Sequence, residues 1–449
     1  MTDYVREVGS AEQGRWEQMG IRPLNISVWE QPTTPLLRYA LQGLLASNER
    51  CGGITSDVAQ ADGVILVPSR AAVDVEEAGV FGLPSTLRRR VKAFALSTIS
   101  AVEPATNLAR LGWTLLANKA THYGILFVGD EQRAQCESAF MFSMEGSHTH
   151  TMRDGVSEQQ FFDSLIARMT HLAGAEVVSD WEVDYSLPQD AWSASTVPQA
   201  VIESGRKLRA WALLPDVQLG QYASPRRTEQ IKLYLEVSGL TVGNMSAWDE
   251  QLGAMQITGS GVDKGNLKRE EVIAIRSLNA MGNGCVVWVP PGTRRVKPSV
   301  EAFDHLLSYS ASSLFASGEF GEYQLLNVLA QLNARDLAAR TQGRPPFFRS
   351  MIHLHLWPER VLDHARVHRV EVEPRLFQYH SSCGTRPLAL YSVEALLRGM
   401  VETNHAPKMI VVGLPNHGLL AASPLPLEAM TELFNPERPT LEFGDIPML

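Results

Sequence analysis

The sequence lacks the features that mark nucleic-acid-binding, membrane-spanning and disulfide-stabilised proteins. Its 449 residues carry 40 lysines and arginines against 49 aspartates and glutamates, with no basic block, so we expect no nucleic-acid partner. The four cysteines form no CxxC pair, which favours reduced thiols. No apolar run reaches the length of a transmembrane helix, so we expect no membrane partner. The polar opening residues are unlike a signal peptide, and we therefore expect a cytoplasmic protein.

Nucleotide-binding signatures are also missing, since no GxGxxG follows a predicted strand and there is no Walker loop. What is present is a globular composition, with 45% hydrophobic and 20% charged residues. A chain of this length exceeds one ordinary core, so we predict two domains, residues 1–222 and 223–449. Residues 175–225 are rich in proline, serine and aspartate and are interpreted as turns and linker.

The first half alternates short apolar strands with amphipathic helices, the pattern of an open, Rossmann-like α/β sheet. The predicted strands lie in residues 24–30, 63–69, 91–99 and 123–129. The predicted helices lie in residues 34–48, 104–120 and 158–174. The second half also mixes helices and strands. Its predicted strands are the segments GAMQIT, GCVVWV, MIHLHL and KMIVVGL.

The segment MIHLHLWPER places His353 and His355 two residues apart. Alternate residues of a strand project from the same face, so both imidazoles can reach one divalent cation. His417 follows another apolar strand and is the candidate third ligand. The alternative is ordinary packing, because a lone HxH pair is common. His148 and His150 share the spacing but lie in a polar stretch that we predict to be a loop.

Further segments of the second half occur in the order of a known family. They are GNMS, ITGSGVDKG, PSVE, SSCGTRPLA and NHGLLAASPLPLEAM. Together with the histidines, they make the chain resemble the class II aldolase/adducin family, of the fuculose-phosphate aldolase type, over about residues 225–435. The first half shows no such resemblance.

The resemblance implies a class II aldolase-like three-layer α/β/α domain with a metal site. It places Glu301 on the catalytic acid/base carboxylate, and it places the metal ligands on His353, His355 and His417. The expected cation is Zn²⁺, with Mn²⁺ or Co²⁺ as alternatives, because imidazole suits several transition metals. The positions that it assigns to substrate phosphate are Gly243, Asn244, Ser260, Gly261 and Ser299. It also implies a homo-oligomer, typically a cyclic tetramer.

The expected activity is that of an aldolase-type lyase of carbohydrate metabolism, acting on a small keto-sugar with or without a phosphate. The metal would polarise a carbonyl and stabilise the enediolate that forms when a C–C bond breaks, while Glu301 moves protons. An epimerase, dehydratase or decarboxylase can use the same metal-bound enediolate. The alternative from another class is a non-catalytic, adducin-like interaction protein, whose mark is the loss of metal histidines.

Two departures from the family bear on these expectations. Val300 stands where the family has a second serine, which removes one hydroxyl from the phosphate site. The stretch between Glu301 and His353 is longer than the family's by about one helix and a loop. Within it, Glu319 or Glu322 is an alternative acid.

The sequence leaves the role of the first half open. Ser69, Arg70 and Glu76 follow a predicted strand, where ligands bind in open α/β sheets, and they are the candidate site there. The alternatives are a scaffold, a partner-binding domain or a fused domain that prepares the substrate.

Overall fold

The chain folds into two compact units. The computed structural model describes residues 21–67, 79–88, 91–100, 105–143, 146–152, 155–214, 219–235, 242–294, 296–318, 344–355, 367–370, 384–403, 409–414 and 418–436. The smaller unit comprises residues 21–175 and 218–236, and the larger unit contains residues 176–217 and 237–449. The boundary predicted near residue 222 falls inside the second segment of the smaller unit.

The smaller unit is built on a seven-stranded sheet. Its strands are β1 (Asn25–Val28), β2 (Gly53–Ile54), β3 (Gly63–Leu66), β4 (Lys92–Ser100), β5 (Tyr123–Asp130), β6 (Gln135–Ser143) and β7 (Gly146–Thr151). They lie in the order β2-β1-β3-β4-β5-β6-β7, with β1 to β5 parallel and β6 and β7 antiparallel. The predicted mixed α/β class is confirmed, and the Rossmann-like assignment stays a prediction.

Helices cover both faces of this sheet. They are α1 (Pro35–Cys51), α2 (Ser85–Arg88), α3 (Ala105–Lys119) and α4 (Glu158–Ala173). Helices α1 and α4 share one apolar cluster with the sheet, and α3 packs on the opposite face. Helix α4 begins with a capping box between Ser157 and Gln160, which satisfies amides at its first turn. All three helices predicted for the first half are thereby confirmed.

The hairpin of β6 and β7 shows where a polar sequence pattern misleads. His148 and His150 lie in β7, so the loop predicted for them was wrong. Strand β7 pairs with β6 at one edge of the sheet, where polar side chains are tolerated because one side remains open to water. Backbone pairing with β6, rather than an apolar pattern, makes this segment a strand.

The stretch predicted to be a linker contributes regular elements to the larger unit. They are β8 (Asp180–Asp184), α5 (Gln189–Ala194) and α6 (Val197–Ala210). Pro188 and Pro198 stand at the starts of α5 and α6, where a missing N–H costs no helical hydrogen bond. The linker interpretation was therefore wrong here, because these prolines mark helix starts. The chain then returns to the smaller unit as α7 (Pro225–Leu235).

The larger unit is built on a nine-stranded sheet. Its remaining strands are β9 (Asn244–Asp249), β10 (Ala254–Thr258), β11 (Val272–Leu278), β12 (Gly284–Trp288), β13 (Ser350–Leu354), β14 (Val367–Val370), β15 (Met409–Leu414) and β16 (Gly418–Ser423). Their order is β14-β15-β16-β13-β9-β10-β11-β12-β8. Strand β8 runs parallel to β12, whereas β13 is antiparallel to both of its neighbours. The four strands predicted for this half are confirmed.

Two apolar clusters make this unit three layers deep. The remaining helices are α8 (Ala302–Ala316), α9 (Arg386–Glu402) and α10 (Leu427–Thr431). Helices α8 and α9 bury their apolar residues against one face of the sheet, and α6 and α10 cover the other. Met351 and Ile352 face opposite clusters, as alternate residues of a strand buried on both faces must. This layering agrees with the α/β/α arrangement that the resemblance implies.

Two further observations concern the described residues alone. None of their helices is long and apolar enough to cross a membrane. Cys136 and Cys285 are buried thiols, and neither is bonded to another cysteine. Burial raises the pKa of each thiol to about 12, so neither forms the reactive thiolate near neutral pH.

Candidate metal centre

Strand β13 presents the predicted histidine pair at its carboxyl end. His353 lies within the strand and is 2% exposed, and His355 follows directly after the strand's last residue, Leu354. The two imidazole rings have centroids 4.8 Å apart and planes inclined by 42°. The spacing of two residues therefore brings the rings to the same side of the strand, as the sequence predicts.

Glu301 meets this pair from the start of helix α8. It is the N-cap residue of the helix and is 3% exposed. Its Oε2 lies 2.7 Å from Nδ1 of His353. The side-chain amide of Asn244 donates to the same oxygen, and its Nδ2 is 3.5 Å from Nδ1 of His353. Glu301, His353 and Asn244 thus form one buried polar cluster.

The donor atoms of Glu301, His353 and His355 suit a divalent transition metal. Candidate ligand atoms of the three lie within 4.8 Å of one another. Three donors bound to one cation at roughly 2.1 Å stand roughly 3–3.5 Å apart, so small side-chain rotations suffice to bring these atoms together. Two imidazoles and a carboxylate suit zinc, iron, cobalt or manganese. No comparable group of three exists elsewhere among the described residues.

Of the five residues predicted to bind phosphate, Asn244 belongs to this cluster and Gly243 adjoins it. Asn244 contacts Glu301, and Gly243 precedes it with φ +89°. An added Cβ on Gly243 would lie 2.7 Å from the carbonyl oxygen of His353, so the backbone packs tightly there. The GNMS segment is strand β9 from Asn244 onward, and the side-chain amide of Asn244 is already engaged by the carboxylate of Glu301.

The remaining three lie on two segments that are hydrogen-bonded to each other. The amide of Ser260 donates to the carbonyl of Lys297 at 2.8 Å, and Gly261 has φ +66°. The hydroxyl of Ser299 accepts from the amide of Glu301 at 3.5 Å. These contacts bring the serines and glycine toward the start of α8.

Several predicted site residues lie outside the described residues. They are His417, Ser69, Arg70, Glu76, Glu319 and Glu322. The described segments around His417 are the neighbouring strands β15 and β16, which pair with each other next to β13.

In the smaller unit, the amide of Leu36 at the start of α1 donates to Glu131 at 3.2 Å, so an internal carboxylate already satisfies this amide.

A second polar cluster, next to the first, was not predicted from the sequence. The hydroxyl of Ser246 lies 2.7 Å from Nδ1 of His305 and 3.0 Å from the hydroxyl of Tyr309. All three side chains are fully buried. The spacing of these residues was a signal that could have revealed the cluster. Ser246 follows Asn244 by two residues on a strand, and His305 follows Glu301 by one helical turn, so each lies on the same face of its element as the earlier residue.

Burial shifts the pKa values of two ionisable groups of α8 away from their usual values. Burial lowers the pKa of His305 to about 3, although the charge of Glu301 acts in the opposite direction. Burial, together with the charge of Glu301, raises the pKa of Asp304 well above its usual value, and Ser392 donates to its carboxyl at 3.1 Å. Burial therefore disfavours the charged form of each of these two groups beside Glu301.

Comparisons with known proteins give structural likenesses alone. No family model and no curated protein matches the sequence. L-fuculose 1-phosphate aldolase is 19% identical, with 56% of this chain and 82% of that chain covered at a TM-score of 0.29. YgbL from Klebsiella pneumoniae, described as a candidate aldolase/epimerase/decarboxylase, is 12% identical. The match covers 53% of this chain and 86% of that chain, with a TM-score of 0.26. YgbL from Escherichia coli, described in the same words, is 11% identical. The match covers 55% of this chain and 88% of that chain, with a TM-score of 0.28.

Proposed function

We propose that the larger unit is a metal-dependent lyase of the aldolase type, which cleaves or forms a C–C bond beside the carbonyl of a small keto-sugar. The observation that carries this proposal is the group of Glu301, His353 and His355, whose donor atoms lie within 4.8 Å of one another. Glu301 and His353 are buried and His355 is partly buried. Burying a carboxylate beside an imidazole is costly unless the groups are paired or bind a cation.

The proposed ligands are His353 and His355, with His417 as the third imidazole, and Zn²⁺ as the first choice over Mn²⁺ or Co²⁺. The bound cation would supply the positive charge that polarises a substrate carbonyl. His353 is held for this task by β13 and by the Asn244–Glu301 pair beside it.

Glu301 is the proposed proton carrier. In cleavage, its carboxylate would take the proton of the substrate hydroxyl and deliver it to the carbon left with the electron pair when the C–C bond breaks. In synthesis, it would take the α-proton and deliver it to the alkoxide oxygen that forms with the new C–C bond. Two partners of its Oε2, Asn244 and His353, hold the side chain in place before substrate arrives. Glu301 is 3% exposed, so its carboxylate lies in a largely desolvated site.

Gly243, Ser260, Gly261 and Ser299 are proposed to bind the oxygen-rich end of the substrate. Positive φ at Gly243 and Gly261 permits turns whose amides can approach an anion or hydroxyl closely. Asn244 is better suited to orienting Glu301, because its amide already donates to the carboxylate.

Related activities and properties belong to the same proposal. An epimerase, dehydratase or decarboxylase would use the same proton step at Glu301. A homo-oligomer, a cytoplasmic location and a substrate-preparing role for the smaller unit are also proposed. The adducin-like interaction role requires no metal, so measuring the metal content of the protein distinguishes it from the enzyme proposal.

The test is exchange of substrate α-protons with solvent. The protein, loaded with Zn²⁺, Mn²⁺ or Co²⁺, is incubated in D₂O with dihydroxyacetone or dihydroxyacetone phosphate and followed by proton NMR. Exchange that is lost in Glu301→Gln while metal is retained supports the proposal. Adding glyceraldehyde then distinguishes C–C bond formation from exchange alone. A protein that takes up none of the three cations and exchanges neither ketone contradicts the lyase and favours the interaction role.

A further inference from the structure

Strand β9 and helix α8 make polar contacts at successive levels. At the first level, the amide of Asn244 contacts the carboxylate of Glu301. At the second, the hydroxyl of Ser246 lies 2.7 Å from Nδ1 of His305. The same hydroxyl is 3.0 Å from the hydroxyl of Tyr309, one helical turn further along.

The contacts recur at successive levels because two residues of the strand and four residues of the helix cover nearly the same distance. Two residues along a strand advance by about 6.6–6.8 Å, and four residues along a helix advance by about 6.0 Å. A third level follows, where the rings of Trp248 and Tyr309 are 5.8 Å apart. Strand β9 also pairs with β13, with Asn244 opposite His353, so α8, β9 and β13 are fixed to one another beside the candidate metal centre.

We propose that Ser246 and His305 are positioning residues, whose hydrogen bond fixes the height and rotation of α8 and thereby holds the carboxylate of Glu301 beside His353. This inference rests on the proposed function of Glu301. Both residues would act through Glu301 and not on the substrate itself.

The surroundings of the pair favour positioning over simple packing. Ser246 and His305 are fully buried, and the neighbouring residues of α8 belong to the apolar cluster between the helix and the sheet. Apolar side chains would fill this space without the desolvation cost of two polar groups. A hydrogen bond, however, fixes both a distance and a direction, which apolar contacts do not.

The experiment breaks the pair from each side. Ser246→Ala and His305→Leu remove the hydrogen bond, whereas His305→Gln keeps a side-chain amide that can reach Ser246. Ser312→Ala is the matched control, because the Ser312 hydroxyl donates to the carbonyl of Tyr309 on its own helix and not to β9. Two readouts are used: ¹⁵N resonances of histidine-labelled, metal-free protein, and α-proton exchange of dihydroxyacetone by the zinc-loaded protein.

In Ser246→Ala and His305→Leu, we expect the Nδ1 resonance of His353 to lose the shift that its contact with Glu301 produces. The kcat of exchange should fall about 10- to 100-fold, as expected for a misplaced reacting group, with KM within about twofold. His305→Gln should restore most of both signals, and Ser312→Ala should match wild type.

An unchanged His353 resonance in Ser246→Ala and His305→Leu overturns the inference. If Ser246→Ala does not fold, the comparison of His305→Leu with His305→Gln decides alone. If wild type exchanges no probe while the two variants still shift the His353 resonance, the proposed activity fails and the positioning role stands.

Discussion

Nδ1 of His353 lies 2.7 Å from Oε2 of Glu301, and both side chains are almost completely buried. The two residues come from different elements, strand β13 and the start of helix α8, and Asn244 on β9 touches both. Removing one member of such a buried group takes a polar partner away from the other two, which costs more than the hydrogen bond itself contributes. The candidate metal centre and the packing of three elements are therefore linked.

Glu301→Gln separates proton transfer from metal binding. Glutamine can still contact Asn244 and His353 but cannot accept a proton, so α-proton exchange should fall by roughly 10²- to 10⁴-fold while metal content is kept. Asp304→Asn is the control, since Asp304 is a neighbouring buried carboxyl outside the Glu301–His353–His355 group. Equal loss of exchange in both variants, measured by NMR in D₂O, would argue that Glu301 has no specific role.

Replacing the proposed ligands should remove the metal. His353→Ala, His355→Ala and His417→Ala should each lower zinc affinity by more than about 100-fold, because loss of a ligand exceeds the effect of losing an outer hydrogen bond. Elemental analysis of protein purified without chelator measures the bound metal. His150→Ala is the matched control, because His148 and His150 share the two-residue spacing on an edge strand of the other unit. Full zinc content in His417→Ala would exclude that residue from the site.

Gly418 supports the end of β13 that carries the histidines. Its φ is +104°, and an added Cβ would overlap the carbonyl oxygen of Leu354 and approach Cα of His355. Gly418→Ala should lower the free energy of unfolding by about 2–5 kcal/mol, combining backbone strain with overpacking. Gly292→Ala is the control, because Gly292 has φ +80° but open space around its Cβ position. Urea denaturation should show the larger loss for Gly418→Ala, together with weaker zinc binding.

Acid should destabilise the smaller unit through two histidines. Burial lowers the pKa of His122 to about 3 and that of His150 to about 4, with Lys92 and Arg168 adding to the respective shifts. The unfolded chain takes up these protons near pH 6.5, so between pH 6.5 and 4 it binds more protons than the folded protein. Stability therefore falls as the pH falls, by about 2–3 kcal/mol per histidine at pH 4.

His122→Asn tests this pH dependence. The asparagine oxygen can replace Nδ1 of His122, which accepts from the amide of Ala93 at 3.0 Å, but it does not titrate. The variant should lose less stability than wild type between pH 7 and pH 4, measured by urea denaturation at each pH. Identical slopes for the two proteins would show that His122 takes up its proton equally in both states.

The predicted elements that the structure confirms are those with strong local signals. Helix α4 has apolar periodicity and a capping box, and strand β5 is a continuous apolar run. The polar strand β7 and the linker-like strand β8 were missed because their pairing partners, β6 and β12, stabilise them rather than their own composition. Such pairing depends on the partner strand and leaves no mark in the composition of the segment itself.

The same distinction applies to the candidate site. His353 and His355 are two residues apart, so local strand geometry predicts their proximity. Ser246 and His305 are 59 residues apart, and each is an ordinary residue until α8 lies along β9. The family resemblance identified Glu301 as a site residue, although a long insertion separates it from His353 in sequence. The structure places Glu301 beside His353 and His355.

Each unit is formed from separate segments of the chain, and this leads to a final prediction about fragments. Residues 176–217 belong to the larger unit, where Val201 and Leu208 of α6 are fully buried and β8 completes one edge of the sheet. A fragment of residues 223–449 lacks both elements and exposes the apolar face that α6 covers, at about 1.5–3 kcal/mol for each large side chain. We expect it to be insoluble or unfolded by circular dichroism. A fragment starting at residue 176, with residues 218–236 replaced by a short glycine–serine linker, should fold and bind zinc. A folded, zinc-binding 223–449 fragment would show instead that β8 and α6 are dispensable and that a single boundary near residue 222 describes the chain.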